Sequence, residues 1–207
     1  MTPAILTMLH LQDKMNCKVH PNWVEQNYEW YRAIWVECAE LMDHVGYKWW
    51  KHQETDIEQV RLEVIDIWHF GLSAMFDSTK DFEMMASLIN EAIATHVPLD
   101  LDIRRATEAL AQHSLETGGF SVTLFWNLLS AVGLDFDQLY RSYVGKNVLN
   151  FFRQDHGYKD GSYRKQWAGR EDNEHLVELV ASLDAGSEQF ADDLYRALAD
   201  RYAETAN

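Results

Sequence analysis

The chain has 207 residues, 33 of them Asp or Glu against 18 Lys or Arg, which gives a formal net charge of −15. Such a field repels polyanions and argues against general nucleic-acid binding and against docking on an anionic membrane. Two cysteines, Cys17 and Cys38, make neither a disulfide framework nor a Cys/His metal cluster, and with no leader-like N-terminus and no run of 18 apolar residues the sequence reads as a soluble cytoplasmic protein.

Three prolines, at Pro3, Pro21 and Pro98, and the lack of sustained two-residue alternation predict an all-α fold, a helical bundle in a single domain over 1–207. A first helix is expected over about 3–17, followed by a Trp- and Tyr-rich connection. The second helix carries ECAE, Glu37 to Glu40, and stops near Gly46. Thr55 and Glu58 spell a capping box for the third, which carries EVID, Glu63 to Asp66, and runs to about Phe76. Two helices with facing acidic pairs should pack antiparallel. Helices at about 80–95 and 102–116, separated at Pro98, carry no legible chemistry. Beyond Gly118-Gly119 come helices over 120–132 and 136–155, an irregular stretch marked by Gly157, Gly161 and Gly169, a helix capped by Asp172 that reaches about Leu183, and a last helix over about 188–204.

The two acidic half-motifs stand in unusual company. Glu37 and Glu40 lie among Ile34, Trp35, Val36, Cys38 and Leu41, while Glu63 and Asp66 lie among Val60, Leu62, Val64, Ile65, Ile67 and Trp68. Residues three apart on a helix share a side, so each pair forms an acidic claw. Carboxylates gathered in apolar surroundings are costly unless protonated, paired with Lys or Arg, or bound to a cation, and Arg61 is the one Lys or Arg near either claw in the sequence. Hard oxygen donors without His or Cys suit Mg²⁺ or Mn²⁺ rather than zinc. The residues alone leave two readings open, a divalent-cation site and a network of structural carboxylates. Cys38 reads as a small core residue.

A second window, KNVLNFFRQDHGYKDGSYRKQW from Lys146 to Trp167, holds with Arg170 six of the eighteen basic residues. Lys146, Asn147, Asn150 and Arg153 recur at helical spacing and share a face that can hold phosphate oxygens. Lys159, Arg164 and Lys165 follow in a Gly- and Tyr-containing loop of the kind that closes over a ligand, and Tyr158 and Tyr163 add hydroxyl donors. Taken alone, such a run also balances an acidic surface elsewhere. A divalent cation together with a cationic loop is what a polyphosphate substrate requires.

Most of the aromatic residues between Trp23 and Trp50 read as core, although one stacked ring can support a nucleobase. Gln12 and Asn16, one helical turn apart, either present amides to a pyrimidine edge or are ordinary surface residues. His69 reads as a packed helix histidine.

With ECAE, EVID, the WWK of Trp49 to Lys51 and the long C-terminal window in view, the chain resembles the dimeric all-α dUTPases, a branch of the all-α NTP pyrophosphohydrolases that includes the MazG-like proteins. The resemblance runs through roughly 1–75 and 120–180, and the stretch 80–115 contributes nothing to it. It implies Mg²⁺ ligation by Glu37, Glu40, Glu63 and Asp66, with Glu37 orienting the attacking water. It also implies phosphate binding by Lys146, Asn150, Arg153, Tyr158, Lys159 and Lys165, and reading of uracil by Gln12 and Asn16 beside Trp50. The implied reaction is hydrolysis of dUTP, and of dUDP, to dUMP by a homodimer. Rival readings are a dCTPase/dUTPase or broader MazG-like enzyme, a helical metal-binding protein and a helical interaction protein; ExxH pairs typical of di-iron bundles are absent from the sequence.

Overall fold

Helices account for nearly all regular structure in the computed structural model, which describes residues 1–184, 187 and 189–205. The described residues form two compact units, divided between Leu139 and Tyr140.

The first unit contains α1 (Thr2–Val19), α2 (Trp30–Val45), α3 (Ile57–Met75), α4 (Phe82–Ala94), α5 (Ile103–Thr117), α6 (Val122–Ala131) and the start of α7 (Phe136–Asp155). Its centre is the pair α2 and α3, with α5 packed on α2 and α1 on both α3 and α4. Glu37 faces Asp66 while His44 meets Glu63, the order of an antiparallel pair. The turn between them is tied at its base: Thr55 Oγ1 donates to Val45 O at 2.8 Å and Asp56 N to His44 O at 3.0 Å. Because Thr55 is engaged there, the α3 cap falls one residue later than the expected box, on Asp56, whose carboxylate accepts from Gln59 N at 3.2 Å.

The faces of α1 and α3 that bury Met8, Leu9, Val60, Val64, Ile67 and Leu72 close the core of this unit. Trp68 is fully buried and stacks on Phe125 with ring centroids 4.7 Å apart. Gly71 permits this packing: a Cβ there would stand 2.5 Å from Phe120 Cζ, so a helix-weakening residue is kept where a ring tip must touch backbone.

The second unit holds the rest of α7, a two-stranded antiparallel hairpin of β1 (Gln166–Trp167) and β2 (Arg170–Glu171), α8 (Asp172–Ser182) and α9 (Phe190–Glu204). The hairpin lies in the stretch expected to be irregular. Its turn, Ala168-Gly169, has φ of 48° and 79°, the paired left-handed conformation of a two-residue hairpin loop. Phe152, Tyr163, Trp167 and Tyr202 form an aromatic cluster in this unit, with Tyr163 stacked on Tyr202 at 5.5 Å. Arg164 belongs to it, donating to Tyr202 O and Thr205 O at 2.8 Å with its guanidinium over the Tyr202 ring, so this expected loop cation anchors α9. The cap of α8 is a reciprocal box between Glu171 and Glu174 rather than Asp172. The expected start of the last helix at 188 lies outside the described residues.

Candidate active site

The antiparallel pairing of α2 and α3 brings one carboxylate of the first claw and both of the second together. Carboxylate oxygens of Glu37, Glu63 and Asp66 lie within 4.8 Å of one another, with Glu63 buried and the other two half-buried. Burial first, then a hydrogen bond with Glu63 and the charges of Asp66, Glu63 and Glu40, push the Glu37 carboxyl up to about 9. A proton therefore resides on this cluster at neutral pH when no cation neutralises it. Glu40, one turn from Glu37, is exposed and stands outside the trio, although its charge is felt by Glu37.

This donor set fits a hard divalent cation. It offers three carboxylates from two helices, two of which help to raise the proton affinity of Glu37, and no thiol in position to favour a softer metal. Cys38 is buried in the core, its thiol pushed up to about 12 by burial and by the charge of Glu37, which makes it inert. Arg61 turns to Glu58, with Nη1 3.1 Å from Oε1. A residue the sequence reading passed over, His44, sets Nε2 3.6 Å from Glu63 Oε1; its spacing of seven from Glu37 on the same helix was the available signal.

Gln12 and Asn16 are buried rather than on the surface. Gln12 Nε2 donates to Ser73 Oγ at 2.9 Å and to Asn16 Oδ1 at 3.2 Å, and Asn16 Nδ2 donates to Ser73 Oγ at 2.9 Å. The Gln12 carbonyl lies 2.9 Å from Nδ1 of the buried His69, and Ser73 Oγ donates to His69 O. Ser73 was not singled out from the sequence, yet it stands seven residues after Asp66 on α3, on the same helix face. It also lines a cavity of about 220 Å³ walled by Trp23, Tyr28, Trp30 and Phe76.

Trp50 lies elsewhere, in the connection 46–56, exposed and edge-on to Trp49 and Tyr47. That connection is latched by Arg104 of α5, whose Nε and Nη2 donate to Gly46 O at 3.0 and 2.5 Å. Gly46 has φ of 85°, and a Cβ there would come within 2.8 Å of Gln53 Cβ.

In the second unit, Lys146 is buried, its ammonium 3.1 Å from Asn173 Oδ1. Arg153 pairs with the fully buried Asp172 and bonds Asn150 Oδ1 at 3.1 Å. Tyr158, with its ring 5.9 Å from the Arg153 guanidinium, and Lys159 are exposed, whereas Lys165 is 3.4 Å from Glu171. Burial would raise the Asp172 carboxyl, but the hydrogen bonds and charge of Arg153, with Tyr163 and Lys146, outweigh it and hold the group below the usual range. The structure thus links Lys146, Asn150, Arg153 and Tyr158 in one cluster and adds Asp172 and Asn173, which the sequence reading had not placed there.

Fold and site together define an all-α protein whose central helices hold a carboxylate trio with the donor chemistry a hard cation takes. The model of the dUTPase family matches residues 4–158, which is 155 of the 207, and the chain belongs to that family; it is a dUTP-hydrolysing enzyme. The matched span runs through 80–115 and ends before Lys159, Lys165 and Asp172. A search of curated proteins finds no match. No helix among the described residues is long and apolar enough to cross a membrane.

Proposed function

We propose that the chain is a Mg²⁺-dependent dUTP pyrophosphohydrolase that converts dUTP to dUMP and pyrophosphate, and dUDP to dUMP and phosphate, with Mn²⁺ as an acceptable substitute. The observation that carries this reading is the trio Glu37, Glu63 and Asp66 in a chain of the dUTPase family. These residues hold the cation, and Glu40 joins them on the strength of the family resemblance. A divalent cation bound there polarises phosphate oxygens and neutralises charge that develops in the reaction.

Glu37 is the base. It takes a proton from the attacking water as the water oxygen bonds to the α-phosphorus and the bond to the bridging α–β oxygen breaks, so pyrophosphate leaves without a covalent intermediate. Lys146, Asn150, Arg153, Tyr158, Lys159 and Lys165 bind the phosphates and stabilise the leaving group's charge. Gln12 and Asn16 read uracil, their amides oriented beforehand by each other and by Ser73, which lowers the ordering cost on binding. A cavity of about 220 Å³ walled by aromatic rings suits one planar ring, while Trp50, which does not line it, is assigned beside the base on the family resemblance.

The test is release of pyrophosphate from dUTP, dCTP, dTTP and UTP and of phosphate from dUDP, each with Mg²⁺ and with EDTA. Mg²⁺-dependent cleavage confined to dUTP and dUDP is expected. Comparable cleavage of dCTP or dTTP would instead make this a dCTPase/dUTPase or a broader MazG-like pyrophosphohydrolase. The substrate is a small nucleotide and the setting the cytoplasm, and a net charge of −15 weighs against nucleic acid or an anionic membrane as partner.

A homodimer is part of the same reading. Met84 and Leu88, one turn apart on α4, and Leu115 on α5 are exposed apolar side chains that a second copy can cover. Sedimentation should give about twice the chain mass of 24.1 kDa, and a single 24.1 kDa species would rule the dimer out.

A further inference from the structure

Asp172 is a fully buried carboxylate of the second unit whose hydrogen-bond partners are all fixed side chains. Arg153 Nε donates to Asp172 Oδ2 and Arg153 Nη2 to Asp172 Oδ1, both at 2.8 Å, while Tyr163 donates its hydroxyl proton to Asp172 Oδ2 at 2.8 Å. Asp172 N donates to Lys165 O at 3.0 Å, so the backbone of the cationic loop is held by the same residue. On its remaining edge the guanidinium bonds Asn150 Oδ1 and reaches Asn173 Oδ1 at 3.4 Å, the oxygen that also takes Lys146 Nζ.

A surface acid would suffice for the first turn of α8, because Glu171 and Glu174 already cap it. Full burial of Asp172 is costly unless its partners are fixed, and here they are residues of the candidate phosphate site. A Lys at 153 could not replace Arg, since only a planar fork meets both carboxylate oxygens and Asn150 at once.

We infer that Asp172 is a positioning residue of the phosphate site: it sets the plane of Arg153, and through it the placement of Asn150 and Lys146, for binding the pyrophosphate group. It also offsets the Arg153 charge, so Arg153 acts through the orientation it gives Asn150 and Asn173 rather than as a free cation. This inference rests on the phosphate-site reading above.

Electrostatics and positioning predict opposite signs. Removing a carboxylate from beside Arg153 and Lys146 should tighten an anion if charge alone matters, and weaken it if Asp172 acts by holding Arg153. The probe is inorganic pyrophosphate with Mg²⁺, titrated calorimetrically into full-length protein, with dUTP turnover measured in parallel for Asp172→Asn, Arg153→Gln and the double variant. Asp172→Asn is expected to weaken pyrophosphate binding about tenfold and to raise KM for dUTP similarly, with kcat changed by less than about threefold. Once Arg153 is Gln, adding Asp172→Asn should cost nothing more.

Unchanged or tighter pyrophosphate binding by folded Asp172→Asn would overturn the inference, as would independent, multiplying losses in the double variant. If Asp172→Asn does not fold, Tyr163→Phe removes one bond to the carboxylate and leaves the ion pair. It should weaken pyrophosphate two- to threefold, roughly the loss of one hydrogen bond's orienting effect, and no weakening would overturn the inference. Wild-type protein that neither binds pyrophosphate nor cleaves dUTP would remove the phosphate-site reading and this inference with it. Active wild-type protein with an unaltered Asp172→Asn variant removes the role of Asp172 alone.

Discussion

Glu63→Gln is expected to remove Mg²⁺-dependent dUTP turnover, by about three orders of magnitude, while making the metal-free protein more stable. The amide keeps the volume of the side chain but loses the charge that binds a divalent cation. In the absence of a cation the same loss removes one negative charge from the trio, while the amide oxygen can still accept the hydrogen bond that Glu63 shares with protonated Glu37. A gain of about 1 kcal/mol would raise the melting temperature in EDTA by roughly 2–4 °C for a chain of this length. Pyrophosphate release and thermal melting in EDTA check the two halves separately. Retained turnover would take Glu63 out of the ligand set. A large fall in melting temperature would mean that protein partners hold Glu63 as a structural carboxylate, the other reading open to the acidic pairs in the sequence.

Those pairs show what a sequence of this kind reveals. Helical spacing and apolar neighbours sufficed to single out Glu37, Glu63 and Asp66, because an acid on an apolar face is conspicuous wherever the helix packs. Spacing did not say which member of the ECAE pair faces inward. Glu37 and Glu40 differ by about 60° around the helix axis at 100° per residue, and packing against α3 leaves Glu40 exposed. The cap of α3 slipped by one residue for a similar reason: Thr55 and Asp56 are both capable, and a tertiary bond to Val45 takes the threonine.

The features that stayed hidden depend on contacts between distant parts of the chain. Gln12 and Asn16 have the appearance of surface amides until Ser73, some sixty residues on, is placed between them. Trp50 drew attention through its WWK motif, but three of the four rings walling the Ser73 cavity come from the earlier Trp- and Tyr-rich connection, where sequence offered several candidates and no means of choosing. The hairpin of two-residue strands is too short for periodicity to register, and Gly169 was its one signal. Asp172 looked like a cap because acids commonly are; only the box made by Glu171 and Glu174 releases it for Arg153.

In EDTA, the melting temperature of the wild-type protein should fall as pH rises, and Mg²⁺ should remove that fall. The Glu37 carboxyl is raised from 4.5 to about 9, so it binds its proton more tightly in the folded chain than in the unfolded one. Folding takes up a proton across that window. The associated stabilisation is fully present below 4.5 and is lost as pH rises toward about 9, with a slope of at most about 1.4 kcal/mol per pH unit. A divalent cation binds the deprotonated carboxylates and displaces the proton, so its affinity and the increment it adds to the melting temperature should both grow with pH across the same window. Melting scans of wild type and Glu37→Gln, with EDTA and with Mg²⁺, isolate the contribution of this group, since the variant should show a flatter profile in EDTA and a smaller Mg²⁺ increment. An identical slope in the variant would assign the pH dependence to other groups, and a Mg²⁺ increment that ignores pH would place the cation away from the trio. On the proposed reading the same proton links stability to metal binding, because the burial and repulsion that favour a proton on the metal-free cluster also favour a cation in its place.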